Sequence, residues 1–147
     1  MIITFCGHST YMEKQGDRKT LLFLLENIIQ GNDVIFYLGG YGHFDNFALS
    51  VVTEYKKTHA RAKAVFVTPY MGEEYLETKY DSRLYDEVLY PPLETVPLKF
   101  AISKRNEWMA KEAEYVIAGV RHRYGGAYAM MLCAKRKKKQ IINLFEE

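Results

Sequence analysis

Two patterns of apolar residues alternate along the chain. Short, mostly apolar runs at Ile2–Cys6, Asp33–Leu38, Ala64–Thr68, Glu87–Tyr90, Tyr115–Val120 and Gln140–Leu144 are rich in β-branched and aromatic residues. At four to six residues they are too short for helices and read as strands. Between them, apolar residues recur at helical spacing. Leu21, Leu24, Leu25 and Ile28 mark a helix over Thr20–Ile29, closed by Gly31. Phe44, Phe47, Ala48, Val51, Val52 and Tyr55 mark one over Phe44–Lys57, with further helices over Ala101–Glu112 and Gly126–Lys137. Pro69 stops the third strand and Pro91-Pro92 the fourth. Residues 70–86 are crowded with tyrosine and charge and show no period; a long segment of this kind is more often functional than idle.

Nearly all-apolar strands alternating with helices predict an α/β sandwich around a mostly parallel sheet of five or six strands. The length, 147 residues, fits one domain over residues 1–147. Ligands of such folds bind outside the carboxyl ends of the strands, where Gly7, Gly39, Pro69 and the Arg121–Gly126 turn all fall.

Two of these turns are glycine-rich and pass from a strand to a helix. Leu38-Gly39-Gly40-Tyr41-Gly42-His43-Phe44-Asp45 follows Val34-Ile35-Phe36-Tyr37, and Tyr124-Gly125-Gly126-Ala127 follows Val116-Ile117-Ala118-Gly119-Val120. Glycine lets a ligand approach the main chain, and the helix that follows turns its free N–H groups toward an anion. The first turn has neither the spacing of a dinucleotide fingerprint nor the Gly-Lys-Ser/Thr of a P-loop. Position, more than motif, therefore points to a phosphate-bearing ligand. Asp45 lies in the first helical turn, where it either complements the dipole, worth about 0.3–1 kcal/mol, or accepts ribose hydroxyls. Arg105 is an anion candidate because a guanidinium forks onto phosphate. Arg121, with His122 and Arg123 beside it, is another; the plain alternative for each arginine is a solvated surface charge. Tyr41, Tyr70 and Tyr124 flank rim turns and are candidates for base or ribose contacts. His8 and His43 also stand at the rim, where a histidine is more often a hydrogen-bonded loop residue than a catalyst.

Charge and composition narrow the partners. The net charge of +2 supplies no overall field for nucleic acid. The one basic concentration, Lys135-Arg136-Lys137-Lys138-Lys139, ends a predicted helix, where cations suit the dipole. Nucleic acid is on this ground an unlikely partner. Cys6 and Cys133 form neither metal spacing nor a disulfide framework, so no metal and no cofactor are expected. No basic leader with a long apolar core opens the chain and no apolar run spans a bilayer, which predicts a cytoplasmic protein without membrane contact. Trp108 reads as core. Twelve tyrosines suit a buried interface, and a homodimer or homotetramer is the expectation.

The stretch Tyr37–Asp45, the Pro91-Pro92-Leu93-Glu94 turn, Arg105-Asn106-Glu107-Trp108-Met109, and Gly125-Gly126-Ala127 with the helix through Ala134-Lys135 and the strand Ile141-Ile142-Asn143-Leu144 together resemble the SLOG superfamily. This family of Rossmann-like domains includes the DprA/SMF proteins and the LOG phosphoribohydrolases; the likeness is to its small stand-alone bacterial and phage members and covers nearly the whole chain. It implies a Rossmann-like three-layer sandwich with a nucleotide site built from glycine turns: Gly7, His8 and Ser9 after the first strand, Gly39, Gly40, Tyr41, Gly42 and Asp45 in the centre, and Gly125, Gly126 and Ala127 as the last phosphate cradle. The family's associations imply a place in bacterial or phage defence signalling. Two departures matter. Ser9 stands where close relatives carry an arginine. The LOG enzymes carry Pro-Gly-Gly-x-Gly-Thr-x-x-Glu, and here Leu38 replaces the proline, His43 the threonine, and Asn46 stands in place of the glutamate.

Three readings follow. The first is a binding domain that senses or sequesters a nucleotide-derived small molecule. The second is an enzyme cleaving a nucleotide N-glycosidic bond, with Asp45, Glu73 or Glu74 in the role of the missing glutamate. The third is binding of single-stranded nucleic acid through Lys135–Lys139.

Overall fold

The computed structural model describes residues 1–145. It contains β1 (Ile2–Gly7), α1 (Asp17–Ile29), β2 (Val34–Leu38), α2 (His43–Lys56), β3 (Ala62–Val67), α3 (Glu73–Lys79), β4 (Glu87–Leu89), α4 (Ala101–Glu112, entered through a 3-10 turn at Leu98–Phe100), β5 (Tyr115–Gly119), α5 (Gly125–Arg136) and β6 (Gln140–Asn143). The strands form one sheet in the order β4-β3-β2-β1-β5-β6, and every pairing is parallel. This is a Rossmann-like α/β sandwich.

Strand alternation splits the core in two. Ile3 and Phe5 of β1 and Val34, Phe36 and Leu38 of β2 face one side, where Leu21, Leu25 and Ile29 of α1 and Phe44, Phe47, Ala48, Val51, Val52 and Tyr55 of α2 cover them. Cys6, Tyr37, Val65, Val67, Val116 and Ala118 face the other, under Met109 and Ala110 of α4 and Met130, Cys133 and Ala134 of α5. A sheet covered on both faces needs apolar residues at every position, which is why its strands read as continuous runs.

Most element bounds fall within one or two residues of the sequence expectation, β3 for instance at Ala62–Val67 rather than Ala64–Thr68, and two departures are larger. Helix α1 begins at Asp17, ahead of Thr20, because the Asp17 carboxylate takes hydrogen bonds from the Lys14 N–H at 2.8 Å and the Tyr11 hydroxyl at 2.5 Å. The unpatterned stretch 70–86 contains α3, a two-turn helix with no buried residue and hence no apolar stripe to reveal it.

Strand order reverses at β1. The chain moves outward through β2, β3 and β4, then crosses back to place β5 and β6 on the other side of β1. The connections that leave the carboxyl ends of the paired strands β1 and β5 therefore run to opposite sides and leave a crevice between them, the place where folds of this kind take ligands.

Candidate functional site

A cavity of about 330 Å³ opens in that crevice. Gly7, His8, Ser9 and Thr10 line it from the loop after β1, Tyr41 and Asp45 from the β2–α2 turn, Ile102, Arg105, Asn106 and Met109 from α4, and Tyr124, Gly125, Gly126 and Ala127 from the start of α5.

Arg105 organises the floor. Although only 1% exposed, it donates from Nη1 to the backbone carbonyls of Gly39 at 2.9 Å and Val67 at 2.8 Å, and from Nε to Asn106 Oδ1 at 2.9 Å. One guanidinium thus ties α4 to the ends of β2 and β3. Glycine at 39 makes this possible, since a Cβ there would stand 2.9 Å from the guanidinium carbon. Nη2 donates no hydrogen bond among the described residues, yet no side-chain polar atom there is both sealed from solvent and unpartnered. Nη2 is consequently not sealed from solvent, and Arg105 is among the residues that line the cavity. Burial lowers the Arg105 pKa while Asp45 and nearby tyrosines raise it; a guanidinium stays cationic throughout.

Opposite lies the start of α5. Its N-cap residue Tyr124 offers no side-chain cap, so the first-turn N–H groups are free for a ligand. Nothing lies within 4 Å of where a Cβ of Gly125 or Gly126 would stand. A buried cation facing an uncapped helix start can hold a phosphate between them.

Two titratable groups complete the wall. The Asp45 carboxylate accepts the Tyr41 N–H at Oδ2, 2.9 Å. Desolvation pushes its pKa up from 3.8 to about 6, against the lowering effects of that hydrogen bond and of Arg105. His8 Nε2 accepts the backbone N–H groups of Arg121 and His122, both at 3.0 Å, and so pins the β5–α5 loop to β1. Both contacts require an unprotonated Nε2; desolvation, with the charges of His122 and Arg121, lowers the His8 pKa. The His122 ring stands 5.0 Å from His8 and stacks on exposed Tyr124 at 5.3 Å. Cys6 also lines the cavity, with its thiol pushed up to about 12 by burial, which keeps it protonated and unreactive.

Of the residues singled out in the sequence, Gly7, His8, Ser9, Tyr41, Asp45, Arg105, Tyr124, Gly125, Gly126 and Ala127 converge on this cavity. Gly39, Gly40 and Gly42 shape the turn behind it. Gly40 at φ 65° would bring a Cβ within 2.7 Å of the Phe66 ring, and Gly42 at φ 90° within 2.7 Å of the Ser9 backbone. Tyr70 lies away, its hydroxyl 3.4 Å from the Leu98 carbonyl. The Arg121 side chain turns to the far side of its loop and covers the Phe145 ring at 4.5 Å. Asn46 lines a separate hollow with Arg18 and Ser50, while Asp45 reaches the cavity; the carboxylate one residue earlier is the inward one. Glu73 and Glu74 open α3, outside the cavity. Lys135–Lys139 sit at the opposite end of α5. Trp108 is half-buried, not enclosed, and stacks on Tyr37 at 5.5 Å. Sequence reasoning left Phe5, Cys6, Thr10, Ile102, Asn106, Met109 and Met130 out of the site; of these only Thr10, beside Ser9, and Asn106, beside Arg105, carried a polar signal. Among the described residues no group of three His, Cys, Asp or Glu side chains could hold a metal ion, and no helix is long and apolar enough to cross a membrane.

The whole architecture recurs in solved structures. DNA processing protein A (DprA) from Streptococcus pneumoniae superposes with a TM-score of 0.67 over 95% of this chain, at 19% identity. The fold is that of DprA. DprA from Helicobacter pylori, described for its single-stranded DNA binding mode, superposes with a TM-score of 0.66 over the full chain at 12% identity. The chain spans 48% of the first of these proteins and 66% of the second. No protein-family model and no curated protein sequence matches it.

Proposed function

We propose that the rim cavity binds one nucleotide unit of single-stranded DNA, phosphate first, with the strand passing over the exposed Tyr41, His122 and Tyr124 rings. The observation that carries this reading is that the buried Arg105 and the uncapped, glycine-rich start of α5 line one cavity. Exposed aromatic rings beside a phosphate cradle suit a strand, because every base has a face to stack. The DprA fold supports it too, since one of the similar structures is described for its single-stranded DNA binding mode. Low net charge, the ground for setting nucleic acid aside, weighs less against a local cradle than against a broad electrostatic surface.

A second reading is a free nucleotide-derived small molecule held by the same groups. The cavity volume favours it, lying within the range of about 300–1,000 Å³ usual for small-ligand sites. Turnover of such a ligand at the N-glycosidic bond would fall to Asp45, the carboxyl in the cavity with a raised pKa.

The test is fluorescence anisotropy with a labelled thymidine oligonucleotide, alongside mass spectrometry of any ligand released on denaturing the purified protein. Oligonucleotide binding that Gly126→Val and Tyr124→Ala both weaken, with thymidine monophosphate as a weak competitor, supports the strand reading. A retained nucleotide and no oligonucleotide binding would replace it with the second.

A further inference from the structure

The basic run at the end of α5 and the sole tryptophan meet in a groove the rim site does not use. Its volume is about 420 Å³. Lys104, Glu107, Trp108 and Lys111 follow one another at helical spacing, so α4 presents all four on one face, and α5 brings Arg136 and Lys137 to the facing wall. Four cations share the groove with one carboxylate. Glu107 is taken by Lys104 at 3.2 Å, and Lys111, Arg136 and Lys137 form no salt bridge among the described residues.

Helix-dipole complementarity accounts for cations closing α5. It does not account for Lys104, which stands near the start of α4, where a positive charge is unfavourable. Trp108 rests one ring face against Tyr37 in a near-parallel stack, 5.5 Å between centroids and 20° apart, while the rest of its ring lines the groove. Cations along a groove with an aromatic ring at its centre suit a single strand, phosphates outward and a base on the ring.

The groove and the rim cavity have no lining residue in common, and on α4 the groove residues lie on the opposite side of the helix from Ile102, Arg105, Asn106 and Met109, so a strand passing from one to the other crosses over the helix. Helices α4 and α5 both begin at the cavity, where Asn106 and Met130 line it. Lys111 lies five residues beyond the first and Arg136 six beyond the second, roughly 7–9 Å along the helices. A strand covering about 4–16 nucleotides spans that separation.

We propose that the α4–α5 groove is a second contact surface for single-stranded nucleic acid, on which the strand seated in the rim cavity continues, its phosphates on Lys104, Lys111, Arg136 and Lys137 and a base against Trp108. The inference rests on the strand reading of the rim.

Trp108 is the only tryptophan in the chain, so its fluorescence reports on this groove alone. The experiment titrates the full chain with a thymidine trinucleotide and with a longer thymidine oligonucleotide of about 12 residues, within single-strand site sizes. The same titrations are run on the Lys111→Glu/Arg136→Glu double variant, which alters exposed residues and whose fold is checked by circular dichroism. The longer strand is expected to quench Trp108. In the variant its affinity should fall at least tenfold and the salt slope of its log affinity should become shallower by about 1.4, while trinucleotide affinity is unchanged. A longer strand that binds without changing Trp108 emission, or equally well to the variant, overturns the proposal. Quenching by the longer strand with no trinucleotide binding keeps the groove and discards the rim reading. Binding of neither discards both. Quenching by polyglutamate and not by DNA would make the groove an acidic-peptide site and overturn the nucleic-acid assignment.

Discussion

Gly126 and Gly40 look alike in the sequence, each the second glycine of a strand-to-helix turn, and the structure gives them different tasks. Gly126 adopts no positive φ and has open space where a side chain would project into the cavity. Gly126→Val is therefore expected to keep its melting temperature and lose more than tenfold in oligonucleotide affinity, about 1.4 kcal/mol, by anisotropy. Gly40→Val meets both a left-handed φ and the Phe66 ring, so its measurable effect is a lower melting temperature. Asp45 makes a prediction in pH. Its folded pKa of about 6 exceeds the ordinary 3.8, so the fold favours the protonated form. The stability contributed by this group is complete below pH 3.8 and is lost as pH rises to about 6. Thermal melts across that window should show Asp45→Asn flattening this part of the profile; a profile identical to wild type would place the ionisation elsewhere.

Among the elements, α4 packs on β2 and β3 through Trp108 and Met109, and a single side chain, Arg105, supplies its hydrogen bonds to their ends. Arg105→Met would leave the Gly39 and Val67 carbonyls without their donor, and each unsatisfied buried group costs about 1–3 kcal/mol. The expected result is a clear fall in the urea midpoint, with loss of oligonucleotide binding. An unchanged midpoint would mean that water reaches both carbonyls. Helices α2 and α4 were legible as elements because their apolar residues form stripes, whereas α3 buries nothing and left no stripe to read. The direction of Arg105 was hidden for a related reason. A lone arginine on an amphipathic helix looks solvated until the glycine 66 residues earlier is known to lie over it.

For the whole molecule, the separation of charge matters more than its sum. With a net charge of +2 the chain has little long-range field, so its response to salt should follow the few cations in contact with phosphate. Oligonucleotide affinity measured against salt concentration is expected to give a shallow slope, and a steep one would call for a basic surface larger than the rim and the α4–α5 groove. Binding should also be unaffected by chelator; loss with chelator and recovery with magnesium or zinc would reveal a metal in the site.

The order of elements apart from α3, the mostly parallel sheet covered on both faces and the carboxyl-end rim could be read from the sequence, because hydrophobic period and turn chemistry are local properties of the chain. Tertiary structure alone decided which rim residues converge. Neighbouring residues on a helix point about 100° apart, so the packing of α2 turned Asp45 into the cavity and Asn46 away from it. The strand order that sets β5 beside β1 rests on pairings more than a hundred residues apart in the chain, and that non-local choice brought Arg105, the α5 start and His8 around one cavity while sending Arg121 to the far side of its loop.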